Sequence, residues 1–140
     1  MFEECLYFNS NALARTVTRI WTDKYRQFDL SPPHAFLLRV VLANPGMLPR
    51  ELADELNLNR STITRFLDSL EKNEFLIRKA TEGDGREIQI YPTSKAKKIH
   101  KELNNTGKEL TQLMREILGS DELSEIVSNI RKVKKAIEKK

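Results

Sequence analysis

At 140 residues, with 39% hydrophobic and 31% charged side chains, the chain is sized for one substantial core and is too apolar for disorder. Its formal charge of +4 sits at one end: Arg131 to Lys140 holds six Lys/Arg against one Glu, which leaves residues 1–130 at −1 and makes the overall basicity weak evidence for a polyanionic partner. No apolar run nears the roughly 18 residues of a membrane span, Met1-Phe2-Glu3-Glu4 lacks the basic start of a signal peptide, and the single Cys5 excludes an intrachain disulfide or a multi-cysteine metal site, so a cytoplasmic protein without a membrane partner is expected.

Phe2 to about Phe28 contains neither proline nor glycine, and Leu6, Leu13, Val17, Ile20 and Trp21 recur at helical spacing, which predicts a long first helix. Ser31 then reads as an N-cap with Pro32 at the first helical position, opening a second helix whose segment Ala35 to Ala43 is apolar almost all round and therefore buried. Asn44-Pro45-Gly46 ends it. Pro49 opens a third helix through Leu56, Asn57 supplies a left-handed turn residue, and Asn59 caps a fourth helix from Arg60 to Lys72. Phe75 to Lys79 and Glu87 to Tyr91 bracket Gly83-Asp84-Gly85-Arg86, which predicts a two-stranded hairpin. Thr93 caps a fifth helix whose stripe Ile99, Leu103, Thr106, Leu110, Leu113, Ile117 alternates spacings of four and three. Gly119-Ser120 breaks it, and Leu123, Ile126, Ile130, Val133 and Ile137 continue the pattern in a sixth helix.

In the fourth helix Ile63, Phe66, Leu67 and Leu70 form an apolar stripe, while Ser61, Arg65, Asp68 and Lys72 fall opposite. Residues 60–98 carry nine basic and six acidic side chains, residues 99–130 three and six, so the basic segment is the helix-turn-helix with its hairpin. A polar, partly basic helix beside an arginine-tipped hairpin suits a helix in the major groove and a wing on the backbone of double-stranded DNA. Solvated helix faces account for the same charges. The long terminal helices either pack within one chain or share a seam with a second copy, and a two-fold dimer matches paired half-sites about one helical turn apart.

This order of elements, together with Arg78, Asp84, Arg86 and Thr93 in the register Arg, five residues, Asp-x-Arg, then Thr, resembles the MarR/SlyA family of winged-helix transcriptional regulators over nearly the whole chain. The resemblance implies a mainly α fold with a small β-wing: a winged helix-turn-helix lobe at 30–96, flanked by dimerisation helices at 1–29 and 97–140. It implies a homodimeric regulator, a repressor by expectation, on a pseudo-palindromic operator under small-molecule control. Arg60, Ser61, Thr62, Thr64 and Arg65 match the start of the recognition helix, Arg86 the wing arginine of the minor groove, and Asp84 the acid that orients the wing. Leu48 stands in place of a capping Ser or Thr, Glu74 and Ala96 in place of glycine, and Pro92 in place of an apolar residue. Asn73 is expected to supply the turn that glycine at 74 would give, and Pro92 to end the strand.

Arg65 is the best candidate for reading guanine. Asp68, one turn on, repels phosphates and confines contacts to the first half of the helix. Arg50, Arg78 and Lys79 are candidates for phosphate contacts, with solvated charge the equal alternative. Trp21, Tyr25, Phe28 and Phe36 either line the pocket that the family uses for small aromatic or phenolic effectors or belong to the core. Cys5 lies where a subset of the family senses hydroperoxides; a small residue in the dimer seam is the plainer reading. His34 and His100 lack partners at metal spacing, so no metal or other cofactor is expected. With neither a phosphate-binding glycine loop nor a nucleophile elbow, no enzyme is expected either. The competing function is a winged-helix module that binds another protein instead of DNA.

Overall fold

The computed structural model describes residues 1–83, 85 and 87–139. The elements, in order, are α1 (Leu6–Tyr25), a 3-10 helix (Arg26–Phe28), α2 (Pro32–Ala43), α3 (Pro49–Leu56), α4 (Arg60–Lys72), β1 (Leu76–Ala80), β2 (Ile88–Pro92), α5 (Ser94–Leu118) and α6 (Ser120–Glu138). The chain forms two compact units, Met1–Asn104 and Asn105–Lys140, with the boundary inside α5. The expected first helix is shorter at both ends. It begins only after Cys5, which is extended, and it tightens into the 3-10 turn before Asp29, whose φ of 55° is left-handed and cannot continue a helix. Tyr25 and Phe28, at this end, are buried with the lobe's core, so the first helix goes with the lobe and not apart from it.

Local signals account for most boundaries. Ser31 accepts from the His34 N–H and Pro32 follows it; Asn59 accepts from the Thr62 N–H at 2.8 Å. At α3 the cap works in one direction only, because Leu48 has no side-chain acceptor: its own N–H donates to Glu51 Oε1 at 2.9 Å. Asn57 is left-handed at φ 55°, the conformation that a short turn between α3 and α4 needs.

The core of the first unit is α2, with Ala35, Leu37, Leu38, Val41 and Leu42 buried, against Leu52 of α3, Ile63, Leu67 and Leu70 of α4, and Leu76 and Ile90 of the hairpin. Phe36 departs from the all-round burial expected of α2, being 39% exposed. The hairpin is antiparallel, with Leu76 opposite Pro92 and Arg78 opposite Ile90, and Met47 adds a bridge to Ile90. Both strands sit one residue later than expected. Phe75 is excluded from β1 because its N–H donates to Leu70 O at 2.9 Å and so completes the end of α4.

The turn into the hairpin also differs: Glu74, not Asn73, is left-handed, at φ 62°. The start of α5 holds it there. The Thr93 hydroxyl donates to Glu74 O at 2.7 Å and accepts from the Ala96 N–H at 3.2 Å, while Lys95 Nζ donates to Asn73 O at 2.8 Å and lies 4.2 Å from the centre of the Phe75 ring. In the second unit Thr106 and Leu110 are buried, whereas α6 buries none of its residues. No helix among the described residues is long and apolar enough to cross a membrane.

Candidate nucleic-acid interface

The helix α4 is anchored by one face and open on the other. Ile63, Leu67 and Leu70 are buried, while Arg60, Ser61, Thr64 and Arg65 are exposed and Thr62 is half-buried. The five expected contact residues thus occupy the first turn and a half of one helix, where backbone N–H groups add positive partial charge. Their hydroxyls are already engaged. Ser61 Oγ donates to Asn59 Oδ1 at 2.8 Å, and Thr64 Oγ1 donates to Arg60 O at 2.9 Å, which leaves lone pairs free to accept from a base amino group. Arg65 reaches Thr62 Oγ1 only at 3.4 Å, and Arg60 makes no ion pair among the described residues. Both guanidinium groups are therefore available as donors.

The three expected phosphate contacts have separate fates. Arg50, at the start of α3, is ion-paired with Glu87, which by hydrogen bond and charge holds the guanidinium above its usual pKa. Lys79 lies 4.9 Å from the centre of the Tyr91 ring and stays exposed. Arg78 departs most from the expectation: it bridges Asp68 Oδ1 at 2.8 Å and Glu71 Oε1 at 2.9 Å, both on α4, with only 24% of its side chain exposed. A guanidinium held by two carboxylates is not a free phosphate contact. Asp84 and Arg86 lie outside the described residues.

Of the four aromatic residues expected to line a pocket, Tyr25 and Phe28 are core, Trp21 is half-buried, and Phe36 lines a groove. That groove, about 450 Å³, is walled by Phe36, Arg39, Val40, Ala43 and Asn44, by Glu55 and Leu56 of α3, and by Asn104 of α5. Arg39 Nε donates to Asn104 Oδ1 at 3.0 Å and Nη1 to the Tyr25 hydroxyl at 3.4 Å, so Tyr25 supports the groove from behind. Sequence reading missed Arg39 and Asn104 because they lie 65 positions apart. The charge of Arg39 in an otherwise apolar second helix was the only signal. Cys5 is exposed, and its thiol makes no hydrogen bond among the described residues. Among those residues, no three His, Cys, Asp or Glu side chains gather to hold a metal ion.

Residues 30–88 match the model of the MarR family. The chain is 26% identical over 127 residues to the uncharacterised HTH-type transcriptional regulator YybA of Bacillus subtilis (strain 168), covering 91% of this chain and 85% of YybA. It is 26% identical over 132 residues to the HTH-type transcriptional regulator MgrA of Staphylococcus aureus, covering 94% and 88%. Its fold superposes on S. aureus MepR, solved as a DNA complex, with a TM-score of 0.83 at 19% identity over 96% of this chain and 99% of that one. The segment 30–88 thus carries a MarR-family match, and along nearly its whole length the chain is similar to these transcriptional regulators and shares the winged-helix fold of MepR.

Proposed function

We propose that the protein is a homodimeric, sequence-specific double-stranded DNA-binding repressor that acts in the cytoplasm on a pseudo-palindromic operator. The observation that carries this reading is the exposed start of α4, where Arg60, Ser61, Thr64 and Arg65 face solvent on a helix whose opposite side is locked into the core. α4 enters the major groove, Arg65 reads a guanine edge, and Arg86 follows the minor groove beside it. The DNA complex of MepR, a protein of the same fold, supports the partner class.

Two copies join through α1, α5 and α6. What supports this is apolar surface on these helices: Leu6 and Leu13 of α1, Ile117 of α5, and Val127, Ile130, Val133 and Ile137 of α6 are all exposed. The groove beside Phe36 and Arg39 takes the effector, a small aromatic or phenolic molecule, with the ring against Phe36 and an anionic or phenolic oxygen toward Arg39. The experiment is selection of bound duplex from a random pool, followed by affinity measured against salt. Tight binding that weakens steeply with salt and is lost in Arg86→Ala is expected. If no duplex is bound at low salt, the winged helix serves a protein partner instead.

A further inference from the structure

At 100° per residue Ser61, Arg65, Asp68 and Lys72 share a stripe about 60° wide. Asp68 therefore stands at the edge of the stripe whose first half supplies Ser61 and Arg65, and Glu71 flanks it on that edge one turn further on. Both are exposed carboxylates on a helix that has to approach phosphates. Uncovered, they would repel the DNA backbone. The charge that meets them comes from β1, where the Arg78 fork donates through Nη2 to Asp68 and through Nη1 to Glu71. Two separate carboxylates held by one planar group is a geometry that guanidinium allows and an ammonium does not fix.

We infer that Arg78 is a positioning residue of the DNA-binding face. It masks Asp68 and Glu71 and ties the first strand of the hairpin to α4. The masking lowers the repulsion that these carboxylates would exert on an approaching backbone, and the tie gives the hairpin one angle to that helix. Arg78 itself touches no phosphate. The inference rests on the reading of α4 as the DNA-reading helix.

Its test uses the full chain, a duplex selected by the wild type, and three variants: Arg78→Ala, Asp68→Asn with Glu71→Gln, and the triple variant. Affinity and its salt dependence are measured for each. Arg78→Ala is expected to bind about tenfold more weakly with an unchanged salt slope, because charge is unmasked but no phosphate contact is removed. The triple variant, with nothing left to mask, returns to within about threefold of wild type. The double variant frees Arg78, and its salt slope rises by about one phosphate contact. A purely structural Arg78 would leave that slope unmoved. Should Arg78→Ala not fold, the triple and double variants decide alone. The inference is overturned if Arg78→Ala binds as wild type, if its salt slope falls by about one, if a folded triple variant stays weak, or if the double variant keeps the wild-type slope. A wild type that selects no duplex overturns the DNA-binding reading instead.

Discussion

His34, in the first turn of α2, meets the ring of Phe66 on α4 edge to face, with ring centres 4.7 Å apart and planes at 85°. Phe66 lies on the side of α4 turned from solvent, so this contact joins the buried helix to the helix that carries the expected DNA contacts. Burial pushes the His34 pKa below the ordinary histidine value, since the imidazolium loses hydration there. Protons then bind the unfolded chain more readily than the folded one. Stability is full above the unfolded pKa of about 6.5 and is lost as pH falls from there through the depressed folded value. Thermal unfolding followed between pH 7 and 5 should show a falling midpoint, with a shallower fall in His34→Gln; parallel curves would remove His34 as a contributor.

Arg65→Ala removes an exposed guanidinium held only by a 3.4 Å contact, so the folded state should lose little. On a selected duplex the loss should be about 1–3 kcal/mol for the base pair that Arg65 reads, and much smaller on duplexes altered at that base pair. An equal loss on every sequence would mark Arg65 as a phosphate contact instead.

Gly46 adopts φ +94°, and a Cβ there would stand 3.1 Å from the Tyr91 hydroxyl oxygen. The same residue donates its N–H to Ile90 O at 2.8 Å, which fastens the loop after α2 to the hairpin. Gly46→Ala should destabilise by about 1–3 kcal/mol in chemical denaturation. At Glu74 the same logic runs the other way: glycine relieves the left-handed strain, and Glu74→Gly should stabilise by about 0.5–1 kcal/mol.

Ile130, exposed on α6, tests the seam proposed between copies. Ile130→Glu should shift the sedimenting species toward the monomer, while Lys132→Glu, a charge change at an exposed position, leaves it unchanged. An unchanged mass in Ile130→Glu would move the seam elsewhere.

Phe36→Ala should weaken capture of phenols and benzoates, followed by calorimetry, by about 1–3 kcal/mol, because it strips the one aromatic wall of the groove. Equal binding in the variant would take the effector out of this groove.

What the sequence made legible follows the range of the forces involved. Helices α3 and α4 were readable to the residue because their signals are local: Pro49 at a first turn, Asn57 at a left-handed turn, Asn59 at a cap. The five contact candidates on α4 inherit that precision, since a helix fixes the direction of every side chain it carries. The ion pairs of Arg78 were not legible because its partners lie ten and seven positions back, on a different element, and only the hairpin's return brings them together. Tyr25 and Phe28 were ambiguous for a similar reason. Aromatic residues near a helix end suit a core and a pocket equally, and the choice depends on where α2 lies.

One acceptor atom near the start of α4 has two dependents. Asn59 Oδ1 receives both the Thr62 N–H that begins the helix and the hydroxyl of Ser61, each at 2.8 Å. Replacing Asn59 would fray the first turn and at the same stroke free the Ser61 hydroxyl to turn its hydrogen outward, from accepting a base amino group to donating to a base carbonyl. With Ser61 in the DNA-reading role proposed for it, operator preference and helix integrity are inherited together at this position, and a lineage drifting toward a new operator through Ser61 must either keep Asn59 or find a second way to begin the helix.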